Sequence, residues 1–228
     1  MNCIYLPELI KAVSEFHLPN DEIKHIKALR IGNDENLLAT NGKGLSANGK
    51  VRFFKKNEVI FLPDEFIIYY GENAFTTGLA IGILDNKDRF EFAMEKAVEL
   101  GINEFFPIIS EHSQRKKVNL TRLRAKTISA MKQCCRSVLP IIHAPVTIEQ
   151  LLKHTGIYKR IILADMNGNK PENLRNKVST LLIVGTEGGF SSKEIEIMKS
   201  DKRLISINLG NRRLRAETAA IVALGLLI

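Results

Sequence analysis

Residues 181–220 read LLIVGTEGGFSSKEIEIMKSDKRLISINLGNRRLRAETAA, and one pattern occurs twice in them. An apolar run, Leu181 to Val184, leads into a glycine loop, Gly185 to Gly189, and then into a helix-like run from Ser191. A second run, Leu204 to Leu209, leads into Gly210 and then into a helix-like run from Arg215 to Leu227. Short β-branched runs bounded by glycine read as strands. Glu194 stands three residues after Ser191, the spacing of a capping box. Strand, loop and helix in repetition predict an α/β unit whose mainly parallel sheet is covered on both faces. In such a sheet ligands bind outside the carboxyl ends of the strands, where both glycine loops fall.

The same alternation extends upstream. Leu79 to Leu84 reads as a strand, and Phe90, Ala93, Met94, Ala97 and Val98 recur at helical spacing from Asn86 to a stop at Gly101. Ile102 to Ile109 is a strand. Leu123, Thr127, Ile128, Met131, Cys134 and Val138 line one face of a helix that Pro140 is expected to end. A short helix capped by Thr147, a strand from Arg160 to Ala164 and a short helix after Pro171 complete the repeat.

Before residue 73 the pattern differs. Cys3 to Leu6, Leu37 to Thr40, Val51 to Phe54, Glu58 to Leu62 and Phe66 to Tyr70 are short β-like runs, with turns expected at Asn41-Gly42 and Asn48-Gly49 and one helix around Asp21 to Leu29. The division predicts a small barrel-like β unit over residues 1–72 and the α/β unit over 73–228. Gly44 to Lys50 imitates the start of a phosphate-binding P-loop, but Val51 stands where a Ser or Thr is needed. A hairpin turn accounts for those residues.

The 228 residues allow a sizeable core, and 45% hydrophobic content is ordinary for a globule. The longest uncharged apolar stretch, Ala219 to Ile228, is shorter than the roughly 18 residues of a membrane span. Cys3, Cys134 and Cys135 have neither disulfide-framework nor zinc spacing. The expectation is a soluble cytoplasmic protein without a metal site and without a membrane partner.

From His112 to Arg136 the chain carries Arg115, Lys116, Lys117, Arg122, Arg124, Lys126, Lys132 and Arg136 and no acidic residue. These equal the whole net charge of +8 (33 − 25). A single-sign block concentrates polyanions, and nucleic acid is the usual one.

Gly185, Gly188 and Gly189 allow backbone groups to approach a ligand closely. Glu187 among them disfavours a polyphosphate, and no G-x-G-x-x-G is present. Arg212, Arg213 and Arg215 suit a phosphate or a planar base. Arg215 could equally pair with Glu217 or Glu187.

These residues resemble the RsmE family, the SPOUT-class methyltransferases that modify uridine N3 in small-subunit ribosomal RNA. The resemblance is carried by Gly185-Thr186-Glu187-Gly188-Gly189-Phe190-Ser191 and by Leu209 through Ala219. Glu95-Lys96-Ala97 with Glu99-Leu100-Gly101, the Gln133 to Arg136 to Pro140 spacing, and His25 with Leu29-Arg30 add to it. It implies a C-terminal SPOUT domain with a trefoil knot, an N-terminal PUA-like β-barrel that helps hold RNA, and a homodimer through the C-terminal domain. It also implies S-adenosyl-L-methionine as cofactor, held by Leu163, Ala164, Gly185, Glu187, Gly188, Gly189, Leu209, Gly210, Arg212 and Leu214. The substrate would be 16S rRNA or the small ribosomal subunit, contacted by His25, Arg30, Arg115, Lys116, Lys117 and Arg136. Arg215 would stabilise charge on the uracil oxygens, and Glu217 would orient it or accept the N3 proton.

The chain departs from the family pattern at Thr186, usually proline, at Arg213, usually apolar, at His112, usually arginine, and at Asn86, usually lysine. An arginine of the first strand is missing near Cys3 and Ile4. A knotted ribose 2′-O methyltransferase and a non-catalytic RNA-binding protein are the competing readings.

Overall fold

The computed structural model describes residues 2–55, 58–172, 174–175 and 177–228. Contacts divide the chain into one unit of residues 1–72 with 128–139 and a second of residues 73–127 with 140–228.

The first unit contains β1 (Cys3–Tyr5), β2 (Phe16–His17), α1 (Asn20–Ala28), β3 (Asn36–Thr40), β4 (Leu45–Lys55) and β5 (Glu58–Ile68). Its sheet runs β1-β3-β4-β5-β2, with β1 parallel to β3 and the other pairs antiparallel. Register shifts at Asn48/Gly49 and Phe53/Lys55 bend the long β4–β5 ribbon around one apolar cluster that includes Ile4, Leu37, Val51 and Phe61. Among the described residues β1 and β2 are edge strands, so hydrogen bonds do not close the sheet into a full barrel.

Asn48-Gly49 is not a turn. Both residues lie inside β4, where a Cβ on Gly49 would sit 2.2 Å from the Leu62 carbonyl oxygen, so glycine marks close strand approach at a bulge. The turn lies earlier and is built on Asn41, whose side-chain oxygen accepts from the Lys43 and Leu45 amides at 2.7 and 3.2 Å. Gly42 and Gly44 adopt φ of 71° and 97° there.

The second unit contains β6 (Thr77–Gly82), α2 (Lys87–Glu99), β7 (Glu104–Ile108), α3 (Leu120–Gln133), β8 (Ile141–Ile142), α4 (Ile148–Lys153), β9 (Arg160–Asn169), β10 (Thr180–Val184), α5 (Ser192–Lys199), β11 (Leu204–Ile207) and α6 (Ala216–Gly225); the boundary between units falls within α3. Its sheet is wholly parallel in the order β11-β9-β10-β6-β7-β8. The fully apolar central strands serve both faces by period-two alternation. Leu79, Ile81, Leu182 and Val184 enter the cluster with Phe90, Met94, Ala220 and Leu224, while Ala80, Leu181 and Ile183 enter the cluster with Leu151 and Met198. β6, β7 and β8 run outward to one side, whereas β10 is inserted between β6 and β9. The loops after β9, β10 and β11 therefore lie side by side at the carboxyl end.

Asn86 caps α2 by accepting from the Asp88 and Arg89 amides, and Ser191 with Glu194 forms the expected capping box on α5. Two helix expectations fail. α3 ends at Gln133, well before Pro140, because Cys135 turns the chain with φ of 57°. After Pro171 none of the described residues up to Ser179 is helical; Asn173 and Asn176 lie outside the described set. Instead the buried Arg160 guanidinium donates to the Leu174 carbonyl at 2.8 Å, and β9 runs on past Ala164 to Asn169.

Residues 128–139 belong to the first unit because of Glu72. Its carboxylate accepts from Arg136 Nη2 at 2.6 Å and from the Ser137 and Val138 amides at 3.0 and 2.9 Å. Among the described residues no helix is long and apolar enough to cross a membrane.

Candidate functional site

The glycine loop after β10 is a tight turn. The Gly189 amide donates to the Thr186 carbonyl at 3.0 Å, and Thr186 Oγ1 donates to the Gly189 carbonyl at 3.2 Å. Thr186 therefore closes the turn with its own hydroxyl. Gly189 has φ of +72°, and a Cβ on Gly185 would approach the Gly189 Cα to 3.0 Å, so both positions need glycine.

The loop after β11 is held to β9. The Asn208 amide donates to the Asn169 carbonyl and its side chain donates to the Met166 carbonyl, both at 2.7 Å. Gly210, with φ of +132°, then turns the chain towards Arg215, the N-cap residue of α6.

Between these loops lies a cavity of about 720 Å³, a size suited to a small organic ligand. From β9 it takes Leu163 and Ala164; from the first loop Gly185, Glu187, Gly188 and Gly189; from the second Leu209, Gly210, Arg212, Leu214, Arg215 and Glu217. Every residue expected from the sequence to hold cofactor or to act on the uracil thus lines one cavity. Open space surrounds the Cβ position of both Gly189 and Gly210, so backbone there is accessible to a ligand. Acidic Asp165, Glu187 and Glu217 and basic Arg212 and Arg215 are all among the lining residues.

Asp165, Phe190 and Arg213 also line the cavity, and so do Arg89 and Met166, which nothing in the sequence singles out. Arg89, in the first turn of α2, brings Nε within 3.7 Å of Glu217 Oε1. Among the described residues no ion pair joins Arg215 to Glu217 or Glu187, so that alternative is replaced by an Arg89–Glu217 pair. No local signal in residues 86–90 reveals it, because the partners meet only through packing of α2 against α6.

Arg213 lines the cavity while it is held by the first loop. Its Nη2 donates to the Glu187 carbonyl at 2.8 Å.

The basic segment is divided. Arg122 forms a two-pronged contact with Glu91 at 2.6 and 3.0 Å, and Lys126 lies 3.4 Å from the same carboxylate. That hydrogen bonding holds the Glu91 carboxyl below its usual range. Lys132 pairs with the buried Glu22 at 2.8 Å. Arg136, expected at the RNA, is 2% exposed and bound to Glu72, so its charge serves the interior of the first unit. Lys116, Lys117 and Arg124 are exposed, and Arg115 donates to the Leu84 and Asp85 carbonyls at 3.3 and 3.5 Å. In the first unit Arg30 is exposed with φ of 57°, and the His25 ring is half-buried, with Nε2 3.3 Å from the Cys3 carbonyl.

A parallel α/β unit with a ligand cavity walled by the loops of three neighbouring strands defines a class, and the family described as "RNA methyltransferase domain" matches residues 72–228. The protein named ribosomal RNA small subunit methyltransferase E of Rickettsia conorii is 32% identical over 98% of this chain and 93% of its own length. Its namesake from Mesomycoplasma hyopneumoniae is 34% identical over 92% of each. The chain belongs to the ribosomal RNA small subunit methyltransferase E family. The crystal structure of the Neisseria gonorrhoeae member, bound to S-adenosyl methionine, superposes with a TM-score of 0.87 at 27% identity, covering 99% of this chain and 95% of that one. The fold is the α/β SPOUT type.

Proposed function

We propose that this protein transfers a methyl group from S-adenosylmethionine to N3 of a uridine in small-subunit ribosomal RNA. The observation that carries the reading is one cavity of the second unit, in which both glycine loops and Arg212, Arg215 and Glu217 meet. The cofactor suits it on chemical grounds. Open space at Gly189 and Gly210 lets an adenosine approach the backbone closely, and acidic Asp165, Glu187 and Glu217 beside basic Arg212 and Arg215 suit a ligand that carries both signs of charge.

When bound, S-adenosylmethionine supplies an electrophilic methyl group on a sulfonium. The chain's own groups do the remaining work. The walls hold the ligand so that the uracil approaches in line, which supplies a large part of the rate. Arg215, exposed at the N-cap of α6, donates to the uracil oxygens as charge grows on the ring. Glu217, 8% exposed, lines the same cavity and accepts the N3 proton, with Arg89 balancing its charge. His25 and Arg30 in the first unit and Arg115, Lys116 and Lys117 in the second contact RNA; the exposed lysines give a salt-dependent grip on the backbone. Arg136 has no part in that grip.

A homodimer through the second unit is supported by α6, which is apolar on more than its packed side: Val222 is 41% and the following Ile228 45% exposed. The cytoplasm, where the RNA is made, is the corresponding location.

The test is a mass-spectrometric comparison of nucleosides from small-subunit RNA of cells with and without this gene. Loss of N3-methyluridine on deletion is the expected result. An unchanged nucleoside profile, or loss of a ribose-methylated nucleoside instead, rejects the reading.

A further inference from the structure

Three loops at the carboxyl end of the parallel sheet are tied together by side chains. From the loop after β11, Arg213 Nη2 donates to the Glu187 carbonyl at 2.8 Å. From the turn after β7, His112 Nδ1 lies 3.0 Å from the Gly188 carbonyl. Two successive carbonyls of the glycine loop are thus each met by a side chain from a different segment.

The turn that carries His112 is itself anchored. The Glu111 amide donates to Glu194 Oε1 at 3.0 Å, and Glu194 is the carboxylate of the α5 capping box. The Ser110 amide donates to Ser113 Oγ at 3.0 Å, and both serines are buried. The His112 side chain packs close to the loop: a Cβ on Gly188 would lie 3.1 Å from His112 Cβ.

The consequence follows from peptide geometry. In a trans peptide the carbonyl and the next amide point in opposite directions. Drawing the Glu187 carbonyl to Arg213 aims the Gly188 amide the other way; drawing the Gly188 carbonyl to His112 helps aim the Gly189 amide at Thr186, which it meets at 3.0 Å. Glycine peptides left unheld would rotate freely, and that freedom would have to be lost on binding.

We propose that Arg213 and His112 are positioning residues that clamp the Glu187 and Gly188 carbonyls, so that the glycine wall of the cavity is ordered before a ligand arrives. Its bearing on cofactor affinity rests on the S-adenosylmethionine reading above.

The test uses the full-length protein and the variants Arg213→Leu, Arg213→Lys and His112→Ala. Amide hydrogen exchange of the ligand-free protein is read first. Faster exchange confined to residues 186–190 in Arg213→Leu and His112→Ala, with partial recovery in Arg213→Lys, is expected. Exchange equal to wild type in both variants overturns the clamp, whatever the ligand. Calorimetric titration with S-adenosylmethionine follows. Where wild type binds, each variant should weaken binding about tenfold, the loss of one hydrogen bond from a charged or polar donor, and should raise KM for the cofactor more than it lowers kcat. Equal affinity in wild type and variants overturns the role in binding. If wild type gives no heat, the cofactor reading fails, while the exchange result still decides the clamp.

Discussion

Two arginine-rich regions, 115–136 and 212–215, look alike as strings and differ in fate. The first has no acidic residue of its own, yet Glu91, Glu22 and Glu72 reach it from distant segments and engage Arg122, Lys126, Lys132 and Arg136. In the second, Arg212 and Arg215 remain at an open cavity, and Arg213 turns onto a carbonyl. The contrast teaches that local absence of acid does not leave a cation free. Partners come from elements that only the fold brings near.

The contrast can be broken most sharply at Arg136. Arg136→Ala leaves the Glu72 carboxylate, 5% exposed, without its cation, and should cost about 3–5 kcal/mol of stability. Urea denaturation followed in the first unit checks this, and a loss within 0.5 kcal/mol would place Arg136 with the surface cations after all.

Arg215→Ala should do the opposite. Its melting transition stays near wild type, while methyl transfer to small-subunit RNA falls roughly 100-fold or more, as when a charge-stabilising donor is removed. Single-turnover assays with saturating cofactor and RNA measure the effect. Activity near wild type would move the catalytic role elsewhere in the cavity.

Glu91 offers a pH test. Its carboxyl is held down first by hydrogen bonding from Arg122, with Lys126 adding to it. A depressed folded-state value means stability present above the unfolded carboxyl value of about 4.3 and lost as pH falls through the folded value. Glu91→Gln should therefore flatten the fall in stability below about pH 4.3 and cost about 1 kcal/mol at neutral pH, because half-exposed Arg122 is solvent-screened. An acid limb identical to wild type would show that the contact carries no charge energy.

The smallest effect belongs to the exposed cations. Charge reversal at Lys116 and Lys117 should leave stability unchanged and reduce the salt slope of RNA binding by about 0.7 for each lost contact with single-stranded RNA. Filter binding across a salt series measures it, and an unchanged slope would return both lysines to the role of solvated surface.

Legibility follows the range of the interaction. The parallel sheet could be read because a strand buried on both faces is apolar throughout, as Leu181 to Val184 is. The capping box at Ser191 and Glu194 could be read because its partners lie three residues apart. Asn48-Gly49 has the sequence of a turn and the structure of a bulge, since glycine serves both equally and only the neighbouring Leu62 carbonyl distinguishes them. β8, two residues long, has too few positions to show a period.

By itself the sequence determined the strand–loop–helix repeat, the two glycine loops and the membership of Arg215 and Glu217 in one segment, because each rests on neighbours in the chain. Tertiary structure alone decided which cations are neutralised, that Arg89 stands beside Glu217, and that Arg213 and His112 hold the glycine loop. Those outcomes depend on strand order: inserting β10 between β6 and β9 sets the loops side by side, and hydrogen bonds act only across the few ångströms that such packing creates.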